Sequence, residues 1–493
     1  MPLRETAAAY PVSAPPALSP AEVFAQARHR EESLSRLLMA FVSSGLFFML
    51  FPGTFLGVWN LLQISGRESV ASISPAWLQA HGHAQVFGWV GSFILGIGFY
   101  SIPKLRGGAR TSFSAAWVCW VLWTLGTALR WAANVYLWQW RVLLPLSASL
   151  ELIAFLIFFR AVSGHRAQES GKQRLEPWIW VVVSASTGLL LVLLTNLLGC
   201  FNVALRGSTP AFAYLFDQRY LALLAWGFLV SFVWGFSAKW MPVFLGLKPP
   251  RTKFLIAAVV TNWIGLGMVL LGLVFAGGCL LVLGTILAVA AIRIFEPAVN
   301  EPKTRGVHRS FPLFIRTAYV WLLVAGVLGV AASRWDTSGG IWGASRHALT
   351  VGFVSTMILS VGQRVLPAFA GMRILWSTRL MFLASYLLIL GCATRVVCET
   401  LAYQNYAPWA WRVLPVSALV ELSALTLFAI NMMGTFILQP THSVKEPMVA
   451  RIEEAARLPK NPNGQLARGP GQGQRHPVHV GTLYFVHTQI LVG

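Results

Sequence analysis

The sequence predicts an all-α polytopic membrane protein, with about twelve transmembrane helices in three four-helix repeats. Three observations predict it. The 493-residue chain is 56% hydrophobic and only 11% charged, with a mean hydropathy of +0.63. Apolar runs of about 20 residues, the length that crosses a bilayer, recur along almost all of it. Finally, stretches carrying His, Pro, Glu and Trp-x-Trp-Arg in the same order return at fixed offsets.

The twelve spans fall at roughly 37–62, 78–103, 113–135, 140–163, 178–203, 219–245, 253–276, 278–297, 311–333, 344–367, 377–399 and 409–436. The first follows a polar, Ala/Pro-rich stretch, so 1–36 is expected to be a disordered cytoplasmic tail, and the span itself is too long for a signal-peptide core. The second opens on AHGHAQVFGW and the tenth on RHALTVGFVS. The fourth and twelfth each begin at a WxWR box, Trp138 to Arg141 and Trp409 to Arg412. Tryptophans beside the span ends (Trp77, Trp138, Trp140, Trp178, Trp409, Trp411) suit an interfacial belt. After Gln439 the chain turns polar and Gly/Pro-rich, so 439–493 is expected to be a second disordered tail.

A net charge of +21 raises the question of nucleic acid, but the cations are spread along the chain. They concentrate in alternate connections: Lys104, Arg106 and Arg110; Arg160, Arg166, Lys172 and Arg174; Lys248, Arg251 and Lys253; Lys303, Arg305, Arg309 and Arg316; Arg373 and Arg379. That is the positive-inside pattern, which places these loops and both termini in the cytoplasm and makes the bilayer the partner. The five cysteines form no CxxC pair, so neither a disulfide framework nor a zinc site is indicated.

The repeats fix the membrane domain, 37–438, into units of about 37–163, 178–297 and 311–436. His83, Pro103 and Gly107 align with His347, Pro367 and Gly371 at one offset (347 − 83 = 264), with nine of twenty-five positions identical. LPLSASLEL (Leu144 to Leu152) aligns with LPVSALVEL (Leu414 to Leu422). In a weaker third copy Gly227, Ser231, Phe232 and Pro242 match Gly88, Ser92, Phe93 and Pro103 (242 − 103 = 139), with Ala222 where the histidine stood. An even number of spans per copy keeps every copy in one orientation, so His83 and His347 are expected at the same depth.

Ionisable groups inside a membrane are functional candidates by default. His83 and His347, equivalent in two copies, suggest the two axial imidazoles of a six-coordinate haem. His81 lies about 200° around the helix from His83 and suggests an interfacial group or a second metal. Arg130, Arg141, Arg395 and Arg412, beside the outer connections, could receive haem propionates as bidentate donors, or could snorkel to headgroups. Glu151 and Glu421 lie about 16 Å into their helices and read equally as a proton relay or as carboxyls bonding a neighbouring helix. An interhelical hydrogen-bonding role for the histidines is the structural alternative.

HxHxxxFG (His81, His83, Phe87, Gly88) and RHALTVGFVSTMIL (Arg346 to Leu359) resemble the NnrS family of haem- and copper-containing membrane proteins. That resemblance implies haem b and copper as cofactors, a bacterial inner membrane and a role in nitric oxide metabolism or resistance. The sequence departs from the family at Ala84-Gln85, where a Glu-Met is typical, and at RVLPAFAG, where a histidine is expected. More distantly, the twelve-helix plan resembles the catalytic subunit of haem–copper oxidases, whose second and tenth helices ligate a low-spin haem. Their dinuclear centre needs histidines on helices six and seven, which this chain lacks. The expected function is electron transfer or nitrosative-stress response with an electron-transfer partner. A secondary transporter and a haem or copper assembly factor are the alternatives.

Overall fold

The computed structural model describes residues 19–105, 112–163, 176–371 and 373–438. The expected C-terminal tail and the basic connections at 106–111 and 164–175 lie outside them. Twelve long helices make up the described chain: α1 (Ala25–Arg67), α2 (Pro75–Lys104), α3 (Phe113–Tyr136), α4 (Trp140–Ser163), α5 (Pro177–Arg206) and α6 (Tyr214–Phe244), then α7 (Thr252–Leu270), α8 (Val274–Ile292), α9 (Phe311–Trp335), α10 (Gly340–Phe369), α11 (Thr378–Tyr403) and α12 (Ala410–Ile437). Eleven are long and apolar enough to cross a membrane. The other, α3, has 24 residues, but Trp117, Trp120, Trp123, Trp131 and Arg130 lower its mean hydropathy.

The helix that becomes α1 starts at Pro20, inside the segment expected to be a disordered tail. Its start is local chemistry. The Ser19 hydroxyl accepts the Glu22 N–H at 3.3 Å, and the Glu22 carboxylate accepts the Ser19 N–H at 2.7 Å. This reciprocal capping box, with proline in the first turn, nucleates the helix. Glu31, two turns on, receives both Lys104 Nζ at 2.7 Å and the Tyr100 hydroxyl, which pins α1 to the end of α2.

The helices form a ring of nine around three. Within their most apolar stretches α2, α6 and α10 are 83%, 67% and 72% buried, whereas no other helix exceeds 56%. Consecutive helices pack on one another, and α12 returns to pack against α1. Each inner helix contains an eight-residue π-helical segment: Ala84–Gly91, Leu223–Val230 and Ala348–Ser355. Their starts differ by 139 (223 − 84) and 264 (348 − 84), the offsets read from the sequence.

A π turn puts carbonyls out of register with the i+4 ladder, and in hydrocarbon they need other donors. Trp123 Nε1 donates to the Phe87 carbonyl at 2.9 Å. Asn262 Nδ2 and Ser231 Oγ donate to that of Trp226, and Thr356 Oγ1 to that of Val351. Phe87, Trp226 and Val351 occupy the same register in the three inner helices.

Close approach is likewise built on small residues. A Cβ on Gly126 (α3) would stand 3.0 Å from the Ser147 carbonyl and 2.9 Å from the Glu151 side chain in α4. At Gly391 (α11) it would meet the Ser417 carbonyl at 3.2 Å and Glu421 Cγ at 2.7 Å in α12. At Gly265 (α7) it would meet the Gly277 carbonyl at 2.9 Å in α8.

Candidate functional site

Two polar clusters lie inside the bundle. The first is built on Glu151 in α4, which is fully buried. His83 Nε2 hydrogen-bonds its Oε1 at 2.6 Å, Thr127 Oγ1 donates to the same oxygen at 3.5 Å, and Asn196 Nδ2 donates to Oε2 at 3.3 Å. The His83 ring stacks on Phe87, with centroids 4.4 Å apart. Cys200 carries the network on, donating to Asn196 Oδ1 at 3.7 Å and accepting from Arg130 Nη1. Four helices, α2 to α5, are tied together by side chains that satisfy one another.

The second cluster gathers around His347, Arg395, Glu399 and Glu421, on α10, α11 and α12. His347 Nδ1 donates to the Gly343 carbonyl at 3.0 Å and lies 3.1 Å from Glu399 Oε2. Arg395 Nε donates to the same carboxylate oxygen at 3.0 Å. Both Arg395 and Glu399 are buried, so the pair needs this mutual neutralisation to be held in hydrocarbon. Glu421 Oε1 is buried with no hydrogen-bond partner.

His81 joins this second cluster, within electrostatic range of His347 and Arg395. Its Nδ1 donates to the Gly53 carbonyl at 2.9 Å. That carbonyl lies in a π turn of α1, Met49–Phe55, where it also accepts the Leu56 N–H. The same turn supplies the Pro52 carbonyl to Trp131 Nε1 at 3.1 Å and the Met49 carbonyl to Gln85 Nε2 at 3.2 Å. Gly57 lies so close to the His81 ring that a Cβ there would stand 2.6 Å from Cε1.

The expectation that His83 and His347 face one another across a shared group therefore meets a different arrangement. His83 spends its Nε2 on Glu151 in one cluster, while His347 stands in the other. His81, two residues and about 200° away from His83, points the other way, to the Gly53 carbonyl of α1.

The chemistry of the two imidazoles is alike. Each has Nδ1–H donated to a backbone carbonyl, which leaves Nε2 as the nitrogen with a free lone pair. Among the described residues no hydrogen bond engages either Nε2. That is the tautomer and orientation of a metal-ligating histidine.

The four expected arginines separate. Arg395 alone stands in the His81–His347 cluster. Arg130 belongs to the Glu151 network and lies over the Phe212 ring. Arg141 donates to the Ala204 and Gly207 carbonyls at 3.2 and 3.3 Å, capping the end of α5. Arg412 is exposed. Among the described residues no three His, Cys, Asp or Glu side chains stand together as a metal-ion group, so the residues do not fit a protein-only copper site.

The fold has a solved counterpart. The chain superposes on a haem–copper terminal oxidase, solved as a dimer, with a TM-score of 0.61 and 11% identity, over 93% of this chain and 98% of that one. The sequence model of a domain of unknown function (DUF8744) matches residues 244–435. No curated protein sequence matches the chain. The architecture is thus that of an oxidase-like helical membrane protein.

Proposed function

We propose that the chain is a membrane redox protein in which His81 and His347 would hold a haem. The observation that carries this is a pair of partly buried imidazoles, on α2 and α10 and within electrostatic range of one another, each held through Nδ1 and each with Nε2 free. The oxidase-like fold supports it. A haem with both axial positions filled supplies single-electron transfer. The chain's own residues do the rest: the Gly53 and Gly343 carbonyls fix the two tautomers, Glu399 and Arg395 balance charge beside His347, and Arg395 is the cation within reach of a propionate. Glu421, with an unpartnered oxygen in the His347 cluster, is the group placed to hold a proton when the charge of the site changes. Glu151, saturated by three neighbours, is a structural member of the other cluster.

In the same proposal the twelve helices are three equivalent four-helix units, with α2, α6 and α10 in corresponding places. The protein works in a bacterial inner membrane, where the sequence resemblance implies that its electrons serve nitric oxide handling.

An optical and pyridine-haemochrome spectrum after haem-replete expression tests the ligand assignment. The wild type and His83→Ala are expected to show a low-spin Soret and α-band pattern, with His81→Ala and His347→Ala losing it. Absence of any Soret band in the wild type, or loss on His83→Ala with retention on His81→Ala, overturns the assignment.

A further inference from the structure

On the side where α1 begins, an open pocket of about 650 Å³ lies between α1 and α3, far from both polar clusters in sequence. His29, Ser33 and Arg36 line it from α1, at i, i+4 and i+7, and Phe113 and Trp117 line it from α3, at i and i+4. Each set is one face of its helix, and the two helices pack on each other. The wall from α1 is polar and cationic; the wall from α3 is aromatic.

Among the described residues Arg36 is bonded to no carboxylate. Its Nη2 donates to Ser33 Oγ at 3.5 Å, and that hydroxyl donates to the His29 carbonyl at 2.9 Å. The acids nearby are already engaged. Glu32, in electrostatic range of His29 and Arg36, accepts from Arg28 at 2.9 Å, and Glu31 accepts from Lys104 at 2.7 Å. No acidic side chain among the described residues lines the pocket.

The pocket stands where the chain enters hydrocarbon. Arg36 is the last charged residue of α1 before Arg67, and α3 carries none between Phe113 and Arg130. Two turns beyond Arg36 the helices close on each other, where Trp120 Nε1 donates to Ser44 Oγ at 3.2 Å. Trp117, Val121 and Leu125 continue from the pocket as an exposed stripe down α3, at i, i+4 and i+8. The stripe is about 12 Å long, the rise from residue 117 to 125.

We infer that this pocket seats the headgroup of an anionic phospholipid. The Arg36 guanidinium donates to a phosphate oxygen, with His29 and Ser33 as the polar groups beside it, and an acyl chain lies along Trp117, Val121 and Leu125. Basic pockets between membrane helices recognise anionic headgroups in this way. The ammonium of a zwitterionic lipid would find no carboxylate on these walls, and a free phosphate would leave the apolar stripe unused.

The test uses the purified full chain in detergent and a phosphatidylglycerol carrying a diazirine high on one acyl chain. Saturable labelling of α3 between Trp117 and Leu125 is expected, competed by unlabelled phosphatidylglycerol but not by phosphatidylcholine or inorganic phosphate. Arg36→Gln should weaken the probe about tenfold, through loss of one charge-assisted hydrogen bond. Lys253→Gln removes a cation from the exposed start of α7, which enters the bilayer from the same side as α1, and should change nothing. Should Arg36→Gln fail to fold, Ser33→Asp, which sets a carboxylate beside the guanidinium, is expected to give the same loss. Unsaturable labelling, competition by phosphatidylcholine or by inorganic phosphate as strong as by phosphatidylglycerol, or an equal loss on Lys253→Gln overturns the inference.

Discussion

Glu151 takes its hydrogen bonds from three other helices, through His83, Thr127 and Asn196, and its equivalent in sequence, Glu421, leaves Oε1 with none. The two carboxyls should respond differently to substitution. Glu151→Ala strands two buried groups at once, His83 Nε2 and Asn196 Nδ2, and is expected to lower stability by about 3–5 kcal/mol. Glu421→Gln removes a proton-holding group whose one oxygen bonds nothing, and should cost about 1 kcal/mol or less. Unfolding in mixed micelles measures both, and equal losses would show that Glu421 is bound as tightly as Glu151. Gly57→Leu acts on the proposed haem ligand His81 instead: its side chain must displace the His81 ring, so haem content should fall, if the proposal holds, while the helical circular dichroism stays. At this scale the sequence showed which residues carry chemistry, because His, Glu and Arg stand out against Leu and Val. It did not show which of them meet. His83 and His347 align in sequence, yet His83 bonds Glu151 while His347 stands beside Glu399.

The π turn of α1 shows what an element contributes. Pro52 has no N–H for the Phe48 carbonyl, and the carbonyls displaced in the π turn around it, those of Gly53, Pro52 and Met49, are taken by His81, Trp131 and Gln85. Pro52→Ala restores the donor and favours a straight helix, which withdraws the Gly53 carbonyl from His81 Nδ1. The expected outcome is an unchanged or raised melting temperature together with a weakened low-spin spectrum. Unchanged spectra would mean that the turn is held by its neighbours instead. A second element-scale prediction concerns the connection from α8 to α9. Glu296 bridges Arg251 and Arg293, each at 2.9 Å. The Arg293 hydrogen bond, opposed by slight burial and helped by the charges of Arg293 and Arg251, holds its carboxyl below the ordinary value of 4.5. A depressed carboxylate contributes above its unfolded value and loses that contribution as pH falls through the folded one. A spin label at Val299 should therefore become more mobile only below about pH 4.5, the ordinary carboxylate range, and Glu296→Gln should be mobile at every pH. The spans themselves were legible from apolar length. The π turns were not, because seven or eight uniformly apolar residues fit a 3.6- or 4.4-residue turn equally well. The capping box at Ser19 was legible in retrospect, from Ser-x-x-Glu with proline between.

For the whole molecule, the offsets read from the sequence return in the backbone: π turns in α2, α6 and α10 differ by the same 139 and 264 residues that separate the aligned motifs. If the three four-helix units are equivalent, as proposed, their crossings should also be equivalent in energy, even though their side chains have diverged. Gly126, Gly265 and Gly391 test this. They lie at offsets of 139 (265 − 126) and 265 (391 − 126). Each sits in the third helix of its unit, over a carbonyl of the fourth and the N–H four residues on, at Ser147 and Glu151, Gly277 and Leu281, and Ser417 and Glu421. An added methyl must push the helices apart or displace a side chain, which in packed interiors costs about 1–3 kcal/mol. Gly265→Ala should be the most damaging, because both backbone atoms it meets stand within 3.0 Å, at 2.9 and 3.0 Å, against 3.0 and 3.4 Å at Gly126 and 3.2 Å twice at Gly391. At Gly126 and Gly391 the closest atom is a glutamate Cγ, at 2.9 and 2.7 Å. Gly82→Ala and Gly267→Ala, where a Cβ meets nothing within 4 Å, should be neutral or slightly stabilising through helix propensity. Thermal unfolding in detergent ranks all five. Three comparable losses beside two null controls support one crossing used three times; a loss at a single glycine would leave the three units alike in sequence only.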